Sequence, residues 1–174
     1  MLKLWMEKFN MRLLGIDPGL RHTGWGIINT NDDKIKWIAS GNISPKSSLC
    51  LSKRLSTIHN EINKIIEKFK PSVAAIEEVF VNMNGQSTLK LGMARGAAIT
   101  TCSINDIQVF EYAPTKVKQS LTGSGRAQKE QVKSMVKILL PGCTIKSEDE
   151  SDALAVAICH TFYAQSKLNN IDVG

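Results

Sequence analysis

The order of elements readable along the chain predicts an α/β fold, a mixed β-sheet with helices on its faces. Three observations carry that reading. Short apolar runs separated by turn residues open the chain, with the spacing of adjacent strands. Further short apolar runs then alternate with stretches whose apolar residues recur three and four apart, the period of an amphipathic helix. No internal repeat, linker or low-complexity segment interrupts the succession. A length of 174 residues suits one such domain.

Residues 12–17 (RLLGID) read as a short buried strand stopped by Asp17-Pro18-Gly19, where Pro and Gly force a turn. Residues 24–30 and 34–43 read as a second and third strand joined by the polar turn Asn31-Asp32-Asp33. Residues 49–69 place Leu51, Leu55, Ile58, Ile62, Ile65, Ile66 and Phe69 on one helical face, and Pro71 closes that helix. Residues 73–79 (VAAIEEV) read as a buried strand interrupted by two carboxylates. A helix over 85–102 is rich in small residues: Gly92, Ala94, Gly96, Ala97 and Ala98. A strand over 107–112 follows, then helices over 114–121 and 127–140 around the Gly-Ser-Gly-Arg run at 123–126. The last helix spans 147–164, with Ser147 and Glu150 spaced as a capping box.

Composition narrows the class. Apolar residues make up 43% and charged residues 22%, and no uninterrupted apolar run of membrane-spanning length occurs. Residues 1–10 carry Lys3, Glu7 and Lys8 and lack the layout of a secretory signal. Met11 stands directly before the first strand pattern, so residues 1–10 read as an N-terminal extension and the start is open between Met1 and Met11. Cys50, Cys102, Cys143 and Cys159 have neither disulfide-framework nor zinc spacing, which suits thiols in a reducing cytoplasm. The formal net charge is +6. Between Tyr112 and Ser147 seven basic residues (Lys116, Lys118, Arg126, Lys129, Lys133, Lys137, Lys146) face one acid, Glu130, so this block holds the whole excess. One basic block on a neutral background is the pattern of a phosphate-contacting surface.

Four carboxylates stand in costly places. Asp17 ends a buried strand, Glu77 lies in another, and Asp149 and Asp152 occupy the first turns of the last helix, three apart and so on one face. Charges there lose hydration unless something compensates them, and a divalent cation does so. Mg²⁺ takes hard oxygen ligands, a few carboxylates plus water and phosphate oxygens. Two such ions about 4 Å apart activate a water and stabilise the leaving oxygen in phosphodiester hydrolysis, with no His or Ser nucleophile. Singly, each acid has a structural explanation: a turn, an edge strand, or the helix macrodipole. Four together at strand ends and a helix start point to a metal site.

These stretches, taken in order, resemble the RuvC family of Holliday junction resolvases. Gly15-Ile16-Asp17-Pro18-Gly19 with Thr23-Gly24 is similar to the family's opening motif, and Ala75-Ile76-Glu77-Glu78-Val79-Phe80 to its second. Leu89-Lys90-Leu91-Gly92 with Ala94-Arg95-Gly96 resembles its interface helix. Tyr112-Ala113-Pro114, Val117-Lys118-Gln119 and Asp152-Ala153-Leu154-Ala155 also match in order and spacing. The resemblance implies an RNase H-like fold, a five-stranded mixed sheet flanked by helices, with residues 11–166 as the nuclease domain and 167–174 as a tail. It implies that Asp17, Glu77, Asp149 and Asp152 are catalytic and bind metal, although some members carry His where Asp149 stands. It implies an endonuclease that resolves four-way DNA junctions in recombination and repair by paired symmetric nicks, leaving 5′-phosphates. The cofactor would be Mg²⁺, two ions per subunit, with Mn²⁺ as a substitute. The partners would be four-way junction DNA, a second copy of the chain and a branch-migration complex of RuvA and RuvB type proteins. Residues 1–10 depart from the family's usual start.

Other residues take roles from their setting and from the resemblance. Phe80 opens a polar loop after the strand of Glu77, which favours an exposed ring stacking on an unpaired base. Lys118 and Lys129 align with family lysines beside the scissile phosphate, while Lys90, Lys116, Arg126 and Lys133 are expected as general phosphate contacts. The Gly-Ser-Gly-Arg run lacks the P-loop pattern, though its backbone N–H groups could still meet a phosphate. The small-residue helix over 85–102 permits either tight packing on its own sheet or a two-fold interface, and paired nicks favour the second. His22, His59 and His160 read as structural or surface residues, and Trp25 and Trp37 as core or sheet-face residues. Three competing readings are separable by experiment. A ribonuclease H-type enzyme would prefer hybrid duplex. A sugar-kinase or actin-like ATPase domain would bind ATP. A junction-binding protein with a dead site would bind without cutting.

Overall fold

The computed structural model describes residues 11–31, 34–78 and 85–169. Ten elements follow in the predicted order: β1 (Met11–Asp17), β2 (Thr23–Asn31), β3 (Lys34–Ile43), α1 (Leu51–Phe69), β4 (Val73–Glu77), α2 (Gly85–Ile104), β5 (Gln108–Tyr112), α3 (Pro114–Thr122), α4 (Lys129–Leu139) and α5 (Glu148–Asn169). The sheet order is β3-β2-β1-β4-β5. The opening meander is antiparallel, β1 against β2 and β2 against β3. β4 and β5 join on the other side of β1 in parallel, each after a crossover helix. The sheet is therefore mixed, as the sequence pattern predicts.

Each strand of the sheet's centre sends alternate side chains to two cores. Leu14 and Ile16 of β1, Ala74 and Ile76 of β4 and Ile27 of β2 pack under α1 and α2, with Ile58, Ile62, Ala94 and Ala98. Leu13, Val73, Ala75 and Ile28 face the other way, under α3, α4 and α5, with Val117, Val132, Leu154 and Ile158. A sheet covered on both faces explains why β1 and β4 are continuously apolar rather than alternating.

Some boundaries differ from the sequence reading. β4 stops at Glu77, and the Glu78 N–H donates to the Tyr112 carbonyl at 2.9 Å, closing the ladder to β5. Helix α4 starts at Lys129 rather than Ala127, because Ala127 is held in a turn by its N–H to the Ser124 carbonyl, 3.2 Å. At the start of α5, Ser147 Oγ does accept from the Glu150 N–H, 3.1 Å, but the buried Glu150 carboxylate accepts from Ser40 Oγ of β3 at 3.0 Å. Glu150 thus ties the last helix to the sheet's edge strand. Asp32, Asp33, Val79 and Phe80 lie outside the described residues, as do residues 1–10 and 170–174. Among the described residues no helix is long and apolar enough to cross a membrane.

Candidate active site

Strand period decides where the acids point. In β1, residues 13, 15 and 17 share the face covered by α5, and in β4 residues 73, 75 and 77 share it too. β1 and β4 run parallel with Ile16 opposite Ile76, so Asp17 and Glu77 are the next pair along, side by side at the strands' carboxyl ends. Both are half-buried.

Helix α5 delivers the other two carboxylates because glycines let it sit against the sheet. A Cβ on Gly24 would collide with the carbonyl and Cβ of Asp149, one on Gly15 with the Ala153 carbonyl, and one on Gly26 with the Leu154 side chain. Gly24 is also the register partner of Asp17. The three glycines hold the helix start directly over Asp17, and Asp149 and Asp152, three apart, turn toward it together.

The electrostatics record that convergence. Asp17 is pushed from 3.8 up to about 8, first by burial and then by the charges of Glu77, Asp152 and Asp149. Glu77 is pushed from 4.5 to about 7, chiefly by burial and then by Asp152, with Lys118 and Lys129 opposing. Burial also raises Asp152, against the pull of Lys129. Lys129 sits at the rim, its Nζ 3.8 Å from Asp152 Oδ2 and 3.3 Å from Glu148 Oε2, and these acids hold its ammonium above the usual range. Among the described residues no three Asp, Glu, His or Cys side chains close into a cage able to hold an ion. The donor set is all-oxygen and open, leaving places for water and phosphate, which suits a hard divalent ion.

The other sequence candidates fall into three groups. Lys118 and Lys129 flank the acids from α3 and α4, and Lys133 stands one turn beyond Lys129 on the same helix face. Lys116 lies over the Tyr163 ring at 4.2 Å and the Tyr112 ring at 5.7 Å, and Arg126 is exposed in the turn before α4. Lys90 is on the opposite side, in a groove that also reaches Asp149. Phe80 lies outside the described residues. His59 bonds Thr101, and the buried His160 bonds the Tyr112 hydroxyl at 2.8 Å, both away from the acids. The role of Gly15, Gly24 and Gly26 in seating α5 was not legible from their spacing, although the period-2 pattern of β1 and β2 puts all three on one face.

A five-stranded mixed sheet in this order, with acids from two central strands and a covering helix converging at one end, defines an RNase H-like nuclease domain. Comparison with known proteins gives the family. Residues 13–160 match the family model described as crossover junction endodeoxyribonuclease RuvC, and the chain belongs to that family of metal-dependent nucleases. It is 53% identical over 160 residues to crossover junction endodeoxyribonuclease RuvC of Paramagnetospirillum magneticum, covering 91% of this chain and 96% of that protein. It is 48% identical over 157 residues to the protein of that name from Ruegeria pomeroyi, covering 90% and 94%. Among solved structures, T. thermophilus RuvC in complex with Holliday junction substrate superposes with a TM-score of 0.85 at 31% identity, over 90% of this chain and 96% of that one. The yeast mitochondrial Holliday junction resolvase Ydc2 shares the fold, with a TM-score of 0.63 at 16% identity over 91% and 83%.

Proposed function

We propose that this chain cuts four-way DNA junctions by metal-dependent phosphodiester hydrolysis at the site formed by Asp17, Glu77, Asp149 and Asp152. The observation that carries the assignment of residues is the convergence of these carboxylates at one half-buried place, where burial first, and then the charges of Glu77, Asp152 and Asp149, push Asp17 to about 8. Acids arranged to repel one another in a half-buried cleft cost stability, and a bound cation reverses the sign of that cost. Two Mg²⁺ ions per subunit, with Mn²⁺ as a substitute, would supply Lewis-acid stabilisation and an acidified water.

The chain's own groups do the rest. Asp17 and Glu77 hold the site from the sheet, and Asp149 and Asp152 from the helix. Lys129 and Lys118, just outside the acids, bind the non-bridging oxygens of the scissile phosphate and offset charge as it develops there. Lys133, Lys116 and Arg126 extend that positive surface along α3 and α4 and hold the strand's backbone without reading sequence. Phe80, following β4, stacks on a base opened at the crossover.

Two nicks related by symmetry require two sites, so we assign a homodimer to α2. Leu89, Gly92, Met93 and Gly96 recur at i, i+3, i+4 and i+7. Leu89 is 64% and Met93 37% exposed, and a Cβ on Gly92 or Gly96 would meet nothing within 4 Å among the described residues. The small residues on this face are therefore not required by packing within the chain's own described residues, which leaves close approach by a second copy as the reading. A branch-migration complex of RuvA and RuvB type proteins is the further partner expected from the family.

The test is cleavage of a synthetic four-way junction with Mg²⁺, native chain against Asp17→Asn, with hybrid and plain duplex as comparison substrates. Paired symmetric nicks by the native chain, with binding but no cutting by the variant, is the expected result. A variant that cuts as well as the native chain removes Asp17 from the site.

A further inference from the structure

A groove of about 720 Å³ opens beside Asp149 between the turn after β1 and helices α1 and α2, which cover the sheet face opposite to that of α3 and α4, the helices of Lys118 and Lys129. Its walls carry Arg21 and His22 from the turn after β1, Arg54 from α1 and Lys90 from α2, and it reaches Asp149. Three basic side chains thus line a groove with one carboxylate. The groove lies outside the basic block between residues 112 and 147, and its charges come from three segments far apart in sequence, so no run of the chain displays it.

The groove is built stiffly. Thr23 Oγ donates to the Gly19 carbonyl at 2.7 Å and accepts from the Gly19 N–H at 3.3 Å, so the turn that carries Arg21 and His22 is braced across its base. A Cβ on Gly19 would collide with the His22 carbonyl, which shows how tightly the turn is drawn. Arg54 Nη2 donates to the Leu20 carbonyl at 2.7 Å, fastening the same turn to α1. Among the described residues Arg54 Nε is buried and meets no acceptor. The exposed His22 ring is fixed by Ser44 Oγ at 2.9 Å. Like charges held together by a rigid frame are an arrangement that an anion completes.

We infer that this groove holds the sugar–phosphate backbone of the cleaved strand on the side of the scissile phosphate opposite Lys118 and Lys129, with Arg21, Arg54 and Lys90 contacting its phosphates. The inference rests on the nuclease reading of the acids. It adds that the strand is gripped on both flanks, so that the bond at the acids is held at two ends. Its volume is that of a cleft for an extended ligand rather than a single anion.

Junction binding in EDTA, measured by fluorescence anisotropy across a salt series, tests it with Arg21→Gln, Arg21→Lys and the Arg21→Gln/Lys90→Gln double variant. Each neutralised contact is expected to make the plot of log K against log[salt] shallower by about 1, and Arg21→Lys to restore it. A methylphosphonate scan of the cleaved strand is expected to find a phosphate whose neutralisation erases the Arg21→Gln penalty. Native affinity and native salt slope in the double variant overturn the inference. So does a penalty that no single methylphosphonate on the cleaved strand removes. Junction cleavage by the unsubstituted chain is scored separately, so failure of the nuclease reading is not confused with failure of the groove.

Discussion

Replacing Asp17 by Asn removes a carboxyl that the folded chain keeps protonated and the unfolded chain does not. The folded value is about 8 and the ordinary one 3.8, so between them the native state binds the extra proton. Stability then falls as pH rises, by about 1.4 kcal/mol for each unit. From pH 5 to pH 8 the metal-free native chain is expected to lose about 4 kcal/mol more than Asp17→Asn. Glu77, at about 7, adds a slope of its own, but it titrates while Asp17 is still largely neutral, so its contribution cancels in the comparison. For a chain of this size 1 kcal/mol moves Tm by about 2–4 °C, so the gap between the two melting curves opens by about 8–16 °C over that range. The assay is thermal unfolding in EDTA at several pH values, repeated with saturating Mg²⁺, which is expected to lift the native chain most at high pH because it favours the ionised site. Melting curves of native and variant that stay parallel from pH 5 to pH 8 would refute the reasoning, because Asp17 would then be an ordinary solvated acid and not the centre of a crowded site.

Three further outcomes follow from the same geometry. Gly24→Ala forces the start of α5 off the sheet, and is expected to cost about 1–3 kcal/mol in urea unfolding and to weaken Mg²⁺ binding measured by calorimetry. Lys129→Gln removes a charge that lowers the values of Asp17, Glu77 and Asp152, so the acidic limb of the pH–rate profile for junction cleavage is expected to move to higher pH; a shift to lower pH contradicts the assignment. Gly96→Arg on the open face of α2 adds bulk where none of the described residues is in reach, and is expected to convert a dimer to monomer in light scattering with little change in thermal stability.

Strand period and helix period are strong signals, and the elements and a mixed sheet with helices on its faces follow from them. The strand order, and with it the placing of Asp17 beside Glu77, needed the pairing of β1 with β4, where one residue of slip would have turned Glu77 into the other core. What was not legible depended on how far apart two surfaces stand. Gly24 reads as a turn-proximal strand residue, and only contact with Asp149 shows that its missing Cβ is what seats the helix. The capping pattern Ser147–Glu150 is local and half correct, since the glutamate is captured by Ser40, 110 positions away. Charge behaves in the same way. The basic block on α3 and α4 is contiguous, so a count finds it; Arg21, Arg54 and Lys90 are separated by tens of residues and become one surface only when the turn after β1, α1 and α2 meet. A nuclease that must hold a strand across its cut needs charge on both sides of the acids, and here one side is written as a run and the other as a fold.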